Sequence, residues 1–201
     1  MKLARTLLAV SLAVACSPRL VAQAVVGQAA PAFSAADTQG RSHALDQYKG
    51  RWVVLEWTNH ECPFVKKHYG SGNMQKLQKA YAARGVVWLS VISSAPGKQG
   101  HVTPAQADQL TQERGAAPFA VLLDPEGKMG RAYGAKTTPH MYVIDPAGKL
   151  VYAGAIDDTP STDPADIPAA RNYLSAALDA ALAGKPIAVA TSTPYGCSVK
   201  Y

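Results

Sequence analysis

Glu56-Trp57-Thr58-Asn59-His60-Glu61-Cys62-Pro63-Phe64-Val65-Lys66-Lys67-His68 is the stretch on which the fold turns. It follows Val53-Val54-Leu55, an apolar run of β-branched and aliphatic residues that reads as a buried strand ending near Trp57. Pro63 suits the first turn of a helix, where its missing N–H costs nothing, and a helix is predicted from Pro63 to about Ala83, stopped by Gly85. Cys62 then stands at the helix N-terminus, where unpaired N–H groups and the positive end of the helix dipole favour a thiolate. Lys66, Lys67 and His60 push in the same direction, and Glu61 opposes them. A cysteine in so polar a stretch, directly before proline, is expected to be accessible and nucleophilic rather than a small buried hydrophobe. His60 and His68 flank it, but no CxxC pair or third histidine stands nearby, so no metal is expected and no cofactor is called for.

Working outward, the apolar period switches repeatedly between that of strands and that of helices. Val86 to Ile92, Phe119 to Leu123 and Met141 to Ile144 read as strands. Pro104 to Arg114 reads as a helix with Thr103 as its N-cap, and a last helix is expected from Pro168 to Leu182, stopped by Gly184 and Pro186. Asp145-Pro146-Ala147-Gly148 makes a turn into Lys149 to Ala153, a hairpin signal. The sum is an α/β fold, a mixed central sheet flanked by helices. Asp157-Asp158 reads as a solvated turn, His101 as a surface residue, and Tyr69, Tyr81 and Trp88 as packing.

With 201 residues, 48% of them hydrophobic, the chain has material for one domain core. At the N-terminus Lys2 and Arg5 precede an apolar run, Leu7 to Ala15, and Ala22-Gln23-Ala24 offers the small residues of a cleavage site, so residues 1–24 are expected to be a signal peptide. A competing reading makes Ala13-Val14-Ala15-Cys16 a lipoprotein site, with Cys16 lipidated and the protein held at a membrane. Either way the protein is expected to be periplasmic or otherwise exported, where disulfides persist. Losing Lys2, Arg5 and Arg19 from 20 basic residues leaves 17 against 14 acidic ones, a net charge of +3 that is a weak basis for nucleic-acid binding, and none is expected.

Strand, Trp57, Cys62-Pro63 and helix resemble the active-site turn of the thioredoxin-like redoxins, the group of thioredoxins, exported thiol-disulfide oxidoreductases and AhpC/TSA-type peroxiredoxins. Thr137-Thr138-Pro139, ahead of Met141 to Ile144, is similar to that family's cis-proline loop, and Val26-Gly27-Gln28-Ala29-Ala30-Pro31-Ala32-Phe33 to its lead-in segment. The resemblance covers roughly residues 26 to 184. It implies a thioredoxin-like fold over 25–184, Cys62 as the catalytic thiol, Thr58, Pro63, Thr138 and Pro139 as substrate-binding positions, and a cis Thr138–Pro139 bond facing Cys62. His140, next in sequence, would then stand close to the sulfur. Two departures matter. Val65 occupies the fourth position of a thioredoxin CxxC, and Thr58 lies four residues before Cys62 with no proline at the place where a peroxiredoxin has one.

Cys197, in an extended tail over 185–201, offers a replacement partner. The twelve residues from Lys185 to Gly196 reach roughly 40 Å at about 3.3 Å each. Cys197 is therefore a candidate resolving thiol, with a static staple or an unpaired tail as alternatives. Two function classes follow. One is an exported thiol oxidoreductase of the antioxidant, peroxidase type, re-reduced by an external thiol, with a thiol-disulfide reductase of periplasmic substrates as its alternative; the other is a redoxin-fold module that only binds a partner.

Overall fold

The computed structural model describes residues 23–201; Lys2, Arg5, the Leu7–Ala15 run, Cys16 and Ala22 lie outside the described residues. Among the described residues, no helix is long and apolar enough to cross a membrane.

Strand β3 (Val53–Trp57) is an inner strand of a seven-stranded mixed sheet, next to its middle strand. It runs parallel to β4 (Val87–Ile92), which runs parallel to β5 (Ala120–Leu123). On its other side β7 (His140–Ile144) pairs antiparallel and is extended by β8 (Leu150–Gly154), the hairpin expected from the Asp145–Gly148 turn. Beyond β5 lie β1 (Ser34–Asp37) and β2 (Ser42–Ala44), an antiparallel pair. Alternation along β3 sets the two cores. Val53, Leu55 and Trp57 face one cluster with Leu89, Tyr133 and Tyr142, while Val54 joins a second with Trp88, Met141, Leu174 and Leu178. The architecture is the α/β, thioredoxin-like one anticipated.

The expected helix from Pro63 to Ala83 is two helices, α1 (Pro63–Gly70) and α2 (Asn73–Ala82). Gly72 takes φ +76° at the N-cap of α2, a conformation that interrupts the first helix. Helix α3 (Pro104–Glu113) is capped by Thr103, whose hydroxyl accepts from Gln106 N–H while the Gln106 side chain accepts from Thr103 N–H. Helix α4 (Lys128–Tyr133), which the periodicity did not suggest, is bounded by left-handed Gly127 and Gly134. Helix α5 (Tyr173–Leu182) begins later than Pro168, because Asn172 accepts from Ser175 N–H as its N-cap.

After Gly184 the chain returns to the sheet. Thr191 bridges to Ala153 beside β8, and Ser192 Oγ accepts from Ala155 N–H at 2.9 Å. A two-residue strand β9 (Cys197–Ser198) then pairs antiparallel with β6 (Thr137–Thr138), and Tyr201 ends the chain against Gly127 and Gly130, donating to Ala135 O at 2.8 Å. The tail is docked along its whole outer half.

Candidate active site

Cys62 is the N-cap residue of α1, and Lys66 N–H donates back to its carbonyl. The turn before it is tied internally: Cys62 N–H donates to Asn59 O and Glu61 N–H to Asn59 Oδ1. Gly100, at φ +82°, packs on the Asn59 side chain, where a Cβ would overlap it, and its N–H donates to Glu61 Oε2. The Glu61 carboxylate is thereby turned toward the 99–100 loop.

Cys62 is fully buried, contrary to the accessibility expected from its polar neighbours. The cover comes from far along the chain. The register sets Thr138 opposite Cys197, and Cys197 N–H points at Cys62 Sγ across 3.4 Å. The Cys62 thiol donates to Thr138 O at 3.0 Å, and Thr138–Pro139 is the single cis peptide among the described residues. Gly196, at φ +139°, lies so close to Thr138 O that a Cβ would overlap it, so only glycine lets the tail cross there. Both cysteines are free thiols.

Burial raises the Cys62 pKa, yet the net direction is downward, because the Cys197 thiol and the N–H groups of Cys197 and Val65 donate to the thiolate. Burial and the neighbouring Cys62 sulfur push Cys197 up to about 11. The two shifts order the pair: Cys62 gives up its proton before Cys197 does.

The other expected residues are distributed differently. Pro63 opens α1. Thr58 Oγ1 is buried without a partner and lines a cavity of about 40 Å³ with His60, Tyr69 and Arg114, a lining that does not include Cys62. His140 is buried and pairs with Tyr142 Oη through Nδ1, and its pKa is lowered to about 4 by burial. Lys66 is exposed, but Lys67 is buried and donates to Thr159 O at 2.9 Å. Asp157, expected to be solvated, is also buried and accepts from Tyr195 Oη. Asp157 is drawn in because the returning tail covers it, while Asp158 stays exposed as expected.

Glu56 is a residue to which the sequence alone gives no role. It is wholly buried on β3 and accepts from Tyr69 Oη and Trp88 Nε1, both at 2.7 Å, Ser90 Oγ at 3.1 Å and Gln78 Nε2 at 3.2 Å. Burial raises its pKa against these four donors. An acidic residue inside a Val-Val-Leu-Glu-Trp strand was the available signal.

A central β3, a cysteine capping the following helix and a cis proline opposite it make the chain a thioredoxin-like redoxin. Residues 26–153 match the AhpC/TSA family, and the chain belongs to it. It is 28% identical over 125 residues to the thiol-disulfide oxidoreductase ResA of Geobacillus thermodenitrificans, a match covering 62% of this chain and 66% of that one, just under two thirds of the relative's length. It is 29% identical to the thioredoxin-like protein YneN of Bacillus subtilis, over 62% and 68% of the two chains. A hypothetical protein from Sinorhizobium meliloti superimposes with a TM-score of 0.74 at 25% identity, covering 88% of this chain and 94% of that one. A putative thiol:disulfide interchange protein DsbE from Chlorobium tepidum superimposes with a TM-score of 0.59 at 26% identity, over 80% and 99%.

Proposed function

We propose that this redoxin is an exported thiol-disulfide oxidoreductase in which Cys62 is the nucleophile and Cys197 its intramolecular partner. The observation that carries the reading is the strand pairing that brings Cys197 N–H to 3.4 Å from Cys62 Sγ. The Cys62 thiolate attacks one sulfur of a substrate disulfide, forming a mixed disulfide and releasing the other half as a thiolate. Deprotonated Cys197 then attacks Cys62 Sγ, closing the Cys62–Cys197 bond and releasing the second half. Two electrons and two protons pass from the cysteine pair to the substrate, and an external dithiol restores the pair. The matches to proteins named for thiol-disulfide exchange support this substrate class. Thr138 and Pro139 form the wall against which the substrate sulfur is presented, and the Leu7–Ala15 leader supports export.

Peroxide is the second oxidant to consider, favoured by Cys62-Pro63 and the family match. In that case Cys62 becomes a sulfenic acid and Cys197 displaces water from it. The test treats reduced wild type and Cys197→Ser with glutathione disulfide or with peroxide and reads the products by non-reducing mass spectrometry. Wild type is expected to lose two hydrogens to an internal link with either oxidant, and Cys197→Ser to stop at a glutathione adduct or an overoxidised Cys62. The relative rates assign the preferred oxidant. A wild type that accumulates the same Cys62 adducts as the variant overturns the role given to Cys197.

A further inference from the structure

Two residues before Cys197, the tail places Tyr195 in a socket made largely by α1. Phe64, Lys67 and His68, at spacings of three and four, share one face of that helix. The Tyr195 ring meets Phe64 edge to face with centroids 5.7 Å apart, and Lys67 Nζ stands 5.9 Å from the ring centre. The hydroxyl donates to Asp157 Oδ1 and receives His68 Nε2 at 3.3 Å. Asn73 Nδ2 donates to His68 Nδ1 at 2.9 Å, so the histidine proton is on Nε2 and the hydrogen bonds run in one direction, from Asn73 through His68 and Tyr195 to Asp157. Burial lowers the His68 pKa to about 4, which agrees with a neutral ring.

Lys67, His68 and Asp157 are at most 2% exposed. Burying a lysine and an aspartate whose charged atoms are 4.0 Å apart is a poor way to gain stability, since apolar side chains of similar volume do as well or better. None of these groups contacts Cys62 Sγ among its hydrogen bonds, so the exchange chemistry does not account for them. What they do contact is the tail, just before the point where it must place a cysteine on a cysteine.

We propose that Tyr195 is a positioning residue: its socket on α1 fixes the register of the tail strand, and thereby the presentation of Cys197 to Cys62. The helix serves as a ruler, with Cys62 as its N-cap and the tyrosine socket within the next two turns. Gly196 supplies the turn between the two anchored residues, pressed onto Thr138 O. The inference rests on the reading of Cys62 and Cys197 as a redox pair.

The experiment measures the effective concentration of Cys197 toward Cys62 by equilibrating the purified protein with reduced and oxidised glutathione, for wild type, Tyr195→Phe and Tyr195→Ala. The alkylation rate of Cys62 in each reduced protein is followed in parallel, and thermal melting controls for global destabilisation. Tyr195→Phe keeps the ring on Phe64 and loses the hydroxyl bonds. It is expected to lower the effective concentration about tenfold and to raise Cys62 alkylation by a similar factor, with the melting midpoint of the domain falling by no more than the few degrees that one hydrogen bond to buried Asp157 costs. Tyr195→Ala is expected to do more of both. Should Tyr195→Ala melt early, Tyr195→Phe decides alone. A wild type that closes no internal disulfide at any glutathione ratio overturns the underlying redox pair. A wild type that closes it, beside a Tyr195→Phe protein with the same effective concentration and alkylation rate, overturns only the positioning role of Tyr195.

Discussion

Cys62 and Cys197 hold their protons with unequal strength. The Cys62 pKa lies below its ordinary value of 9.0 because the Cys197 thiol and two N–H groups outweigh the burial that opposes them. Removing the thiol donor is expected to raise the Cys62 pKa: in Cys197→Ala, the midpoint of the iodoacetamide pH–rate profile moves up by about one unit, the order of one charge-assisted hydrogen bond. The sign for stability follows. A lowered thiol pKa stabilises the fold fully above 9.0, and that contribution is lost as pH falls through the folded value. Cys197, raised to about 11, contributes in the opposite sense, most below its ordinary 9.0 and progressively less as pH climbs toward 11. Reduced wild type should therefore gain stability from Cys62 up to about 9.0 and lose it again from Cys197 beyond, a curvature that urea titrations of Cys62→Ala and Cys197→Ala separate.

Among the elements, β3 carries both the strongest apolar signal and the residue the sequence concealed best. Glu56 binds four donors, so Glu56→Gln, which turns an amide N–H toward some of them, is expected to cost about 1–3 kcal/mol. A raised carboxyl pKa contributes stability fully below the ordinary 4.5 and loses it as pH rises through the folded value. Denaturation of wild type upward from pH 4.5 should show that decline, and Glu56→Gln should flatten it. Strands β3 and β4 were legible because their β-branched runs are long, and α3 because Thr103 and Gln106 form a capping box. Strands β1 and β2 were not, since Ser-Ala-Ala-Asp and Ser-His-Ala have neither bulk nor apolar alternation. Six-residue α4 is too short to display a period. At the site, the places of Cys62 and Pro63 at the start of α1 could be read from local chemistry, because each is set by its own backbone position, while the cis Thr138–Pro139 bond was legible only through the family resemblance. The burial of Cys62, Lys67 and Asp157 could not be read, because a segment more than thirty residues beyond the nearest of them supplies the cover.

Taken as a whole, the molecule is wrapped by its segment 185–201, whose side chains anchor it on either side of β9. Ser192 is fixed at the end of β8, Tyr195 in its socket on α1, and Tyr201 over α4, where its ring also lies 4.7 Å from the Arg131 guanidinium. Between the last two, β9 occupies β6 and covers the sulfur. Peroxide needs only a brief gap, but a disulfide on a protein surface needs β6 to be vacated. On the proposed exchange chemistry, turnover of macromolecular substrates is limited by release of β9 from β6: past a certain substrate concentration the rate equals that of this release. Two unrelated protein disulfides, assayed to saturation, are expected to reach one common plateau while differing in the concentration required. Tyr201→Ala, which frees the outermost anchor, is expected to lift that plateau for both by the same factor, and stopped-flow turnover against the two substrates measures it directly.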